Sequence, residues 1–191
     1  MNPAPVILAA EDNDDDFVLL RCAFESAGFP HKLVGVINGV EAVDYLYADE
    51  PFTNRSIFPF PDLLLLDLQM PVMDGISVLA ALKERIEFRS LPIIVLSSTD
   101  DSEVIREAYK LGAKDVLTKP LTMSERIDMV RELHSRWLAA ETKPITGRNA
   151  QSVVSTCAAA QEVLVTSAEG KRALAGLSRG YLACFISSAL L

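Results

Sequence analysis

Glu11, Asp12, Asp67, Ser97 and Lys119 each close or follow a short run of aliphatic residues. Val6–Ala10 runs into Glu11 and Asp12, 63–66 into Asp67, 93–96 into Ser97, and Asp115–Thr118 into Lys119. If the runs are parallel strands, their carboxyl ends open into one crevice where the strand order reverses. Three carboxylates, one ammonium and one hydroxyl then share a small volume. Two carboxylates about 5 Å apart repel by roughly 3 kcal/mol at an effective dielectric near 20, so three of them invite a divalent cation. Oxygen-only ligation selects a hard ion, and Mg²⁺ retaining several waters fits best. Lys119 adds a mobile positive charge and Ser97 an uncharged donor, which makes the cluster a receptacle for phosphoryl oxygens. Asp67, on the central and most aliphatic run, is the nucleophile of choice, because a carboxylate can form an acyl phosphate.

Each residue alone has a plainer reading. The acids of 11–16 suit the start of a helix, where the macrodipole favours negative charge, and a single strand-end Asp or Lys is commonly a solvated turn residue. Four strand ends with compatible chemistry in one chain weigh the other way. Pro120 restricts Lys119 and is expected to aim it back into the crevice, with a cis bond as one way of doing so.

The elements that must position these groups are legible as an alternation. Five aliphatic runs, the four above and 32–37, are separated by segments of helical period: Asp14–Ala27, Gly39–Tyr47, 75–87, Ser102–Leu111 and 124–140. That pattern predicts an α/β fold, a doubly wound five-stranded parallel sheet with helices on both faces. Gly28 and Gly112 stand where left-handed C-caps are expected, and Ser102 where an N-cap is expected. The segment 48–61 holds Pro51, Pro59 and Pro61 with Phe52, Phe58 and Phe60. Its prolines predict an extended path and its aromatics a cover over apolar surface, with partner docking as the alternative.

The whole chain has 191 residues, half of them hydrophobic and 23% charged, which excludes disorder throughout and fits one domain with an appendage. Its formal net charge of -8 disfavours direct binding to nucleic acid or anionic lipid. Three cysteines, Cys22, Cys157 and Cys184, suit neither a disulfide framework nor a zinc site, so a cytoplasmic setting is expected. Val6–Ala10 is too short for a signal peptide, and the apolar end 181–191 falls short of the roughly 20 residues that span a bilayer, so no membrane association is expected. A domain over 1–141, a linker at 142–149 around Pro144 and Gly147, and a C-terminal extension over 150–191 complete the expected organisation. The stretch 150–165 has the pattern of an amphipathic helix, and homodimer contact through it is weighed against an unpacked end. His31 and His134 fall at no strand end and are expected on the surface or on a helix face. Trp137 is expected to pack the last helix on the sheet with Val130, Leu133 and Leu138.

The strings VILAAEDNDDD, PDLLLLDLQMPVMDG, LPIIVLSSTD and LGAKDVLTKPL, in that order and spacing, resemble the receiver domain of two-component response regulators. The long segment before the third strand, with VINGVEAVDYL, looks most like the stand-alone regulators that partner bacterial phytochrome histidine kinases. The resemblance implies a flavodoxin-like strand order 2-1-3-4-5. It also implies that Asp67 accepts a phosphoryl group from a histidine of a sensor kinase, and that the signal passes on by phosphorylation-dependent protein contact. Asp12 and Asp67 would ligate Mg²⁺ directly, with the backbone carbonyl of Gln69 and, through water, Glu11. Ser97 and Lys119 would bind the phosphoryl group, while Gln69 and Thr99 match positions that tune hydrolysis of the acyl phosphate. Val116 stands where many receivers carry an aromatic switch residue.

A phosphorelay shuttle is the nearest alternative function. An aspartate-based phosphohydrolase is more distant, because such chemistry wants a second acid two residues after the nucleophile, where this chain has Gln69. Turnover catalysis is therefore not the expectation; self-catalysed phosphotransfer and autodephosphorylation are.

Overall fold

Aliphatic runs of five residues become strands wherever both faces can be covered, and here three of them are covered completely. The computed structural model describes residues 4–98 and 100–139. Strands β1 (Val6–Ala10), β3 (Leu63–Asp67) and β4 (Ile93–Ser97) are buried at every position, whereas β2 (Lys32–Val36) and β5 (Asp115–Thr118) are partly open. They pair in parallel in the order β2-β1-β3-β4-β5, so the fully buried strand LLLLD lies at the centre. This is the doubly wound order with its switch point between β1 and β3.

The helices are α1 (Asp14–Ala27), α2 (Gly39–Tyr47), α3 (Gly75–Lys83), α4 (Ser102–Leu111) and α5 (Met123–Leu133). On one face of the sheet Ile7, Ala9, Leu63, Leu65, Ile94 and Leu96 pack with Leu20, Ala23 and Phe24 of α1 and Met129, Val130 and Leu133 of α5. Strand alternation turns Leu8, Leu64 and Leu66 to the other face, where α2 and α3 contribute buried Tyr45, Leu46, Val78 and Leu79. Each such fully buried side chain contributes about 1.5–3 kcal/mol of transfer free energy.

Helix ends follow local chemistry. The Asn13 side chain accepts from the N–H groups of Asp15 and Asp16, and Thr122 and Glu125 form a reciprocal capping box at the start of α5. Gly28 (φ 76°) and Gly112 (φ 110°) are the expected left-handed C-caps of α1 and α4. The N-cap of α4 is Asp101 rather than Ser102, because the Asp101 carboxylate reaches the Glu103 N–H at 2.8 Å. Helix α3 stops at Lys83 instead of Glu87, and a 3₁₀ turn over Ile86–Phe88 buries Phe88. Helix α5 starts at Met123, one residue earlier than expected, and its last turn, His134–Leu138, widens to a π-helix.

The segment 48–61 is folded back rather than extended. Arg55 donates to the carbonyls of Tyr45, Leu46 and Phe58, and the rings of Tyr45, Phe52 and Phe58 pack edge to face or tilted. A guanidinium that collects carbonyls curls the segment in spite of its prolines. Phe60 remains half exposed, in a row of parallel rings with Phe88 and Tyr47. The cis peptide bond among the described residues is Glu50–Pro51, so Lys119–Pro120 is trans, the form an X-Pro bond favours by about 0.5–1 kcal/mol. His134 lies on the helical turn that follows α5, buried with its ring stacked on Phe29 at 3.7 Å, so of its two expected placements the helix face is the one found. Trp137 and Leu138 pack against the α1–α5 core as expected, and the indole N–H of Trp137 is buried without a hydrogen-bond partner among the described residues. The expected linker and C-terminal extension lie outside the described residues.

Candidate phosphoacceptor pocket

The carboxyl ends of β1, β3, β4 and β5 bring the predicted groups together. Carboxylate oxygens of Glu11, Asp12 and Asp67 lie within 4.8 Å of one another, with Glu11 and Asp67 buried and Asp12 exposed. The Lys119 ammonium crosses from β5 and donates to Asp67 Oδ2 at 2.7 Å and to Glu11 Oε2 at 2.7 Å. It also contacts Asp16 Oδ2 at 3.5 Å. The backbone sets this aim: the Lys119 N–H donates to the Ser97 carbonyl at 2.9 Å, which ties the β4 and β5 ends together without a cis proline. Ser97 is buried at the same rim, one strand from Asp67.

Asp67 is held from below and behind. Its Oδ1 accepts from the Gln69 N–H at 3.0 Å, and its backbone carbonyl is approached so closely by the turn into α3 that a Cβ on Gly75 would lie 2.4 Å away. The exposed Gln69 follows in the loop. The next residues carry strain, since Val72 adopts φ 68° and is 85% exposed, an unusual conformation for a β-branched side chain.

Burial lifts the Glu11 carboxyl above its ordinary range despite the hydrogen bond from Lys119, and the nearby Asp67 charge adds to the lift. Burial disfavours the Lys119 ammonium, but hydrogen bonds to Asp67 and Glu11 outweigh it and hold the amine above its usual value. For Asp16, burial is outweighed by the Arg126 hydrogen bond and the Lys119 charge, so its carboxyl sits low.

Two residues were not singled out in sequence. Arg126 of α5 is buried, and its Nη2 donates to Asp16 Oδ1 at 2.7 Å. Tyr109 of α4 accepts from the Val116 N–H at 3.3 Å and donates to Asp115 at 3.1 Å, which puts an aromatic ring beside the strand position that itself holds Val116. A sequence signal existed only for Asp16, as one of a run of acids. Thr99 lies outside the described residues. His31 and His134 interact with Phe29 at the far end of α1 and take no part in the pocket.

A parallel sheet in this order, with three carboxylates, a hydroxyl and an amine on its carboxyl rim, defines a flavodoxin-like α/β protein with an acidic pocket whose oxygen donors suit a divalent cation. Residues 7–131 match the response regulator receiver domain, and the chain belongs to that family, the receivers of two-component systems. Response regulator Rcp1 of Synechocystis sp. is 31% identical over 143 residues, covering 75% of this chain and 95% of its own. The phosphorylated cyanobacterial phytochrome response regulator RcpA superposes with a TM-score of 0.66 at 33% identity, covering 74% of this chain and 99% of its own. The Mn²⁺-bound form of Rcp1 gives 0.64 at 29% identity, covering 73% and 99%.

Proposed function

We propose that the chain takes a phosphoryl group from a phosphohistidine of a phytochrome-type sensor kinase onto Asp67, with Mg²⁺ as the cation, and signals in the cytoplasm by protein contact, a second copy included. The observation that carries this reading is Asp67 itself, a buried carboxylate with one oxygen on the Lys119 ammonium and the other on a backbone N–H. The relatives add support, since RcpA is a phytochrome response regulator that was crystallised phosphorylated.

Asp12, Asp67, the Gln69 carbonyl and, through water, Glu11 would hold the cation, and the oxygen-only donor set fits a hard ion. When bound, it supplies neutralisation of phosphoryl charge. The chain's own groups do the rest. An Asp67 oxygen attacks phosphorus in line, the histidine N–P bond breaks as the O–P bond forms, and the freed imidazole takes up a proton. Lys119 balances charge on the equatorial oxygens and Ser97 donates to one of them. Hydrolysis by water returns the carboxylate and inorganic phosphate, and Gln69 and Thr99 are the residues assigned to tuning its rate. Pro120 keeps Lys119 directed at the pocket, and Val116 leaves the β5 switch position without a ring of its own. The phosphoacceptor unit is residues 1–141, followed by a linker at 142–149 and an extension at 150–191.

Labelling of Asp67→Asn by acetyl phosphate with Mg²⁺ tests the acceptor. No label is expected where the parent is labelled, and stoichiometric label on the variant overturns the assignment.

A further inference from the structure

Lys119 offers three donors, and three carboxylates take them: Glu11 and Asp67 at 2.7 Å each and Asp16 at 3.5 Å. The long contact is the odd one. Asp16 lies on α1, outside the strand ends, and its second oxygen is engaged by Arg126 of α5 at 2.7 Å. The Asp16 side chain is 26% exposed and those of Lys119 and Arg126 are 12% and 11%, so the relay Lys119–Asp16–Arg126 is largely withdrawn from water. Three acids face two cations, and the acid between the cations is the one least tightly bound to the lysine.

Resting on the reading of Asp67 as phosphoacceptor, we propose that Arg126, acting through Asp16, is a positioning residue for Lys119 that governs how tightly the pocket takes up a phosphoryl group. New oxygens on Asp67 need Lys119, so one of its three contacts must lengthen, and Asp16 holds the weakest. Release is easy because Arg126 continues to balance the Asp16 charge. Without Arg126 the freed carboxylate would stand partly buried and unpaired, and it would retain the ammonium instead. The bridge therefore makes Asp16 a mild competitor for Lys119 where it would otherwise be a strong one.

The test uses the full chain with Mg²⁺ and fluoroberyllate as the phosphoryl probe, its affinity read by fluorine NMR. Arg126→Met is expected to bind about tenfold more weakly than the parent, and the double variant Asp16→Asn with Arg126→Met to return to parent affinity or better. A purely structural bridge between α1 and α5 predicts the reverse, a double variant no better than the single, and that result overturns the proposal. So does Arg126→Met with parental affinity. Should Arg126→Met fail to fold, Asp16→Asn alone decides: binding about threefold tighter supports the proposal, and unchanged or weaker binding overturns it. A folded parent that takes up no fluoroberyllate overturns the phosphoacceptor reading itself, an outcome distinct from a parent that binds and variants that do not differ.

Discussion

Lys119 serves as the pocket's own counter-ion, its ammonium shared between Asp67 and Glu11 at equal distance. Taking it away leaves Glu11 and Asp67 buried against each other, so Lys119→Met is expected to lose about 3 kcal/mol of stability without divalent ions, in the range measured for a broken buried pair. Mg²⁺ should then restore more stability to the variant than it adds to the parent, because ligand bound by the folded state alone stabilises it by mass action. Thermal melts with and without Mg²⁺ check this; an equal rise in both would mean that the lysine does not neutralise the acids. Phosphorylation-induced spectral change should also shrink in the variant. The closeness of the Gly75 position to the Asp67 carbonyl belongs to the same scale, since there a single added carbon would push the acceptor out of place.

Helix α5 couples several of the features above. Its capping box fixes its start, Arg126 faces the pocket from its first turns, and His134 closes its far end against Phe29. Burial holds the His134 imidazole below its ordinary value near 6.5. The folded state thus resists protonation, so the stability this residue permits is fully present above pH 6.5 and is lost as pH falls from there through the lower folded-state value. His134→Phe, which keeps a ring on Phe29, is expected to flatten the denaturation midpoint against pH in that window. Parallel curves for parent and variant would count against it.

At this scale the sequence is readable where one residue type forces one outcome. Aliphatic runs that end at a polar residue mark the strands and their rims, and Gly28 and Gly112 mark two helix ends. It is less readable where two neighbours compete, as Asp101 and Ser102 do for one cap, or where a side chain from elsewhere decides, as Arg55 does by curling 48–61. Asp16 with Arg126 was out of reach because only the packing of α1 on α5 makes the two neighbours, 110 positions apart.

For the whole molecule, the parallel order places every strand's carboxyl end on one side, so the pocket depends on all four of its strands being in register. The chain's acidity belongs to the residues before Ile145. The residues from Ile145 onward carry Arg148, Lys171, Arg172 and Arg179 against Glu162 and Glu169, a net of 4 - 2 = +2, which leaves 14 - 24 = -10 upstream. A unit ending at Glu141 should then be self-sufficient: a chain truncated there is expected to unfold in one cooperative transition and to accept phosphoryl groups at the parental rate. A broad transition, or a slow truncated chain, would tie the later residues to folding or to the chemistry.

The chain has one tryptophan, and it packs against the core beyond the end of α5. Its indole is thus a built-in optical gauge of that terminus. A shift in its emission when the acceptor is charged would record mechanical transmission along the helix, and a steady signal would localise the response to the rim.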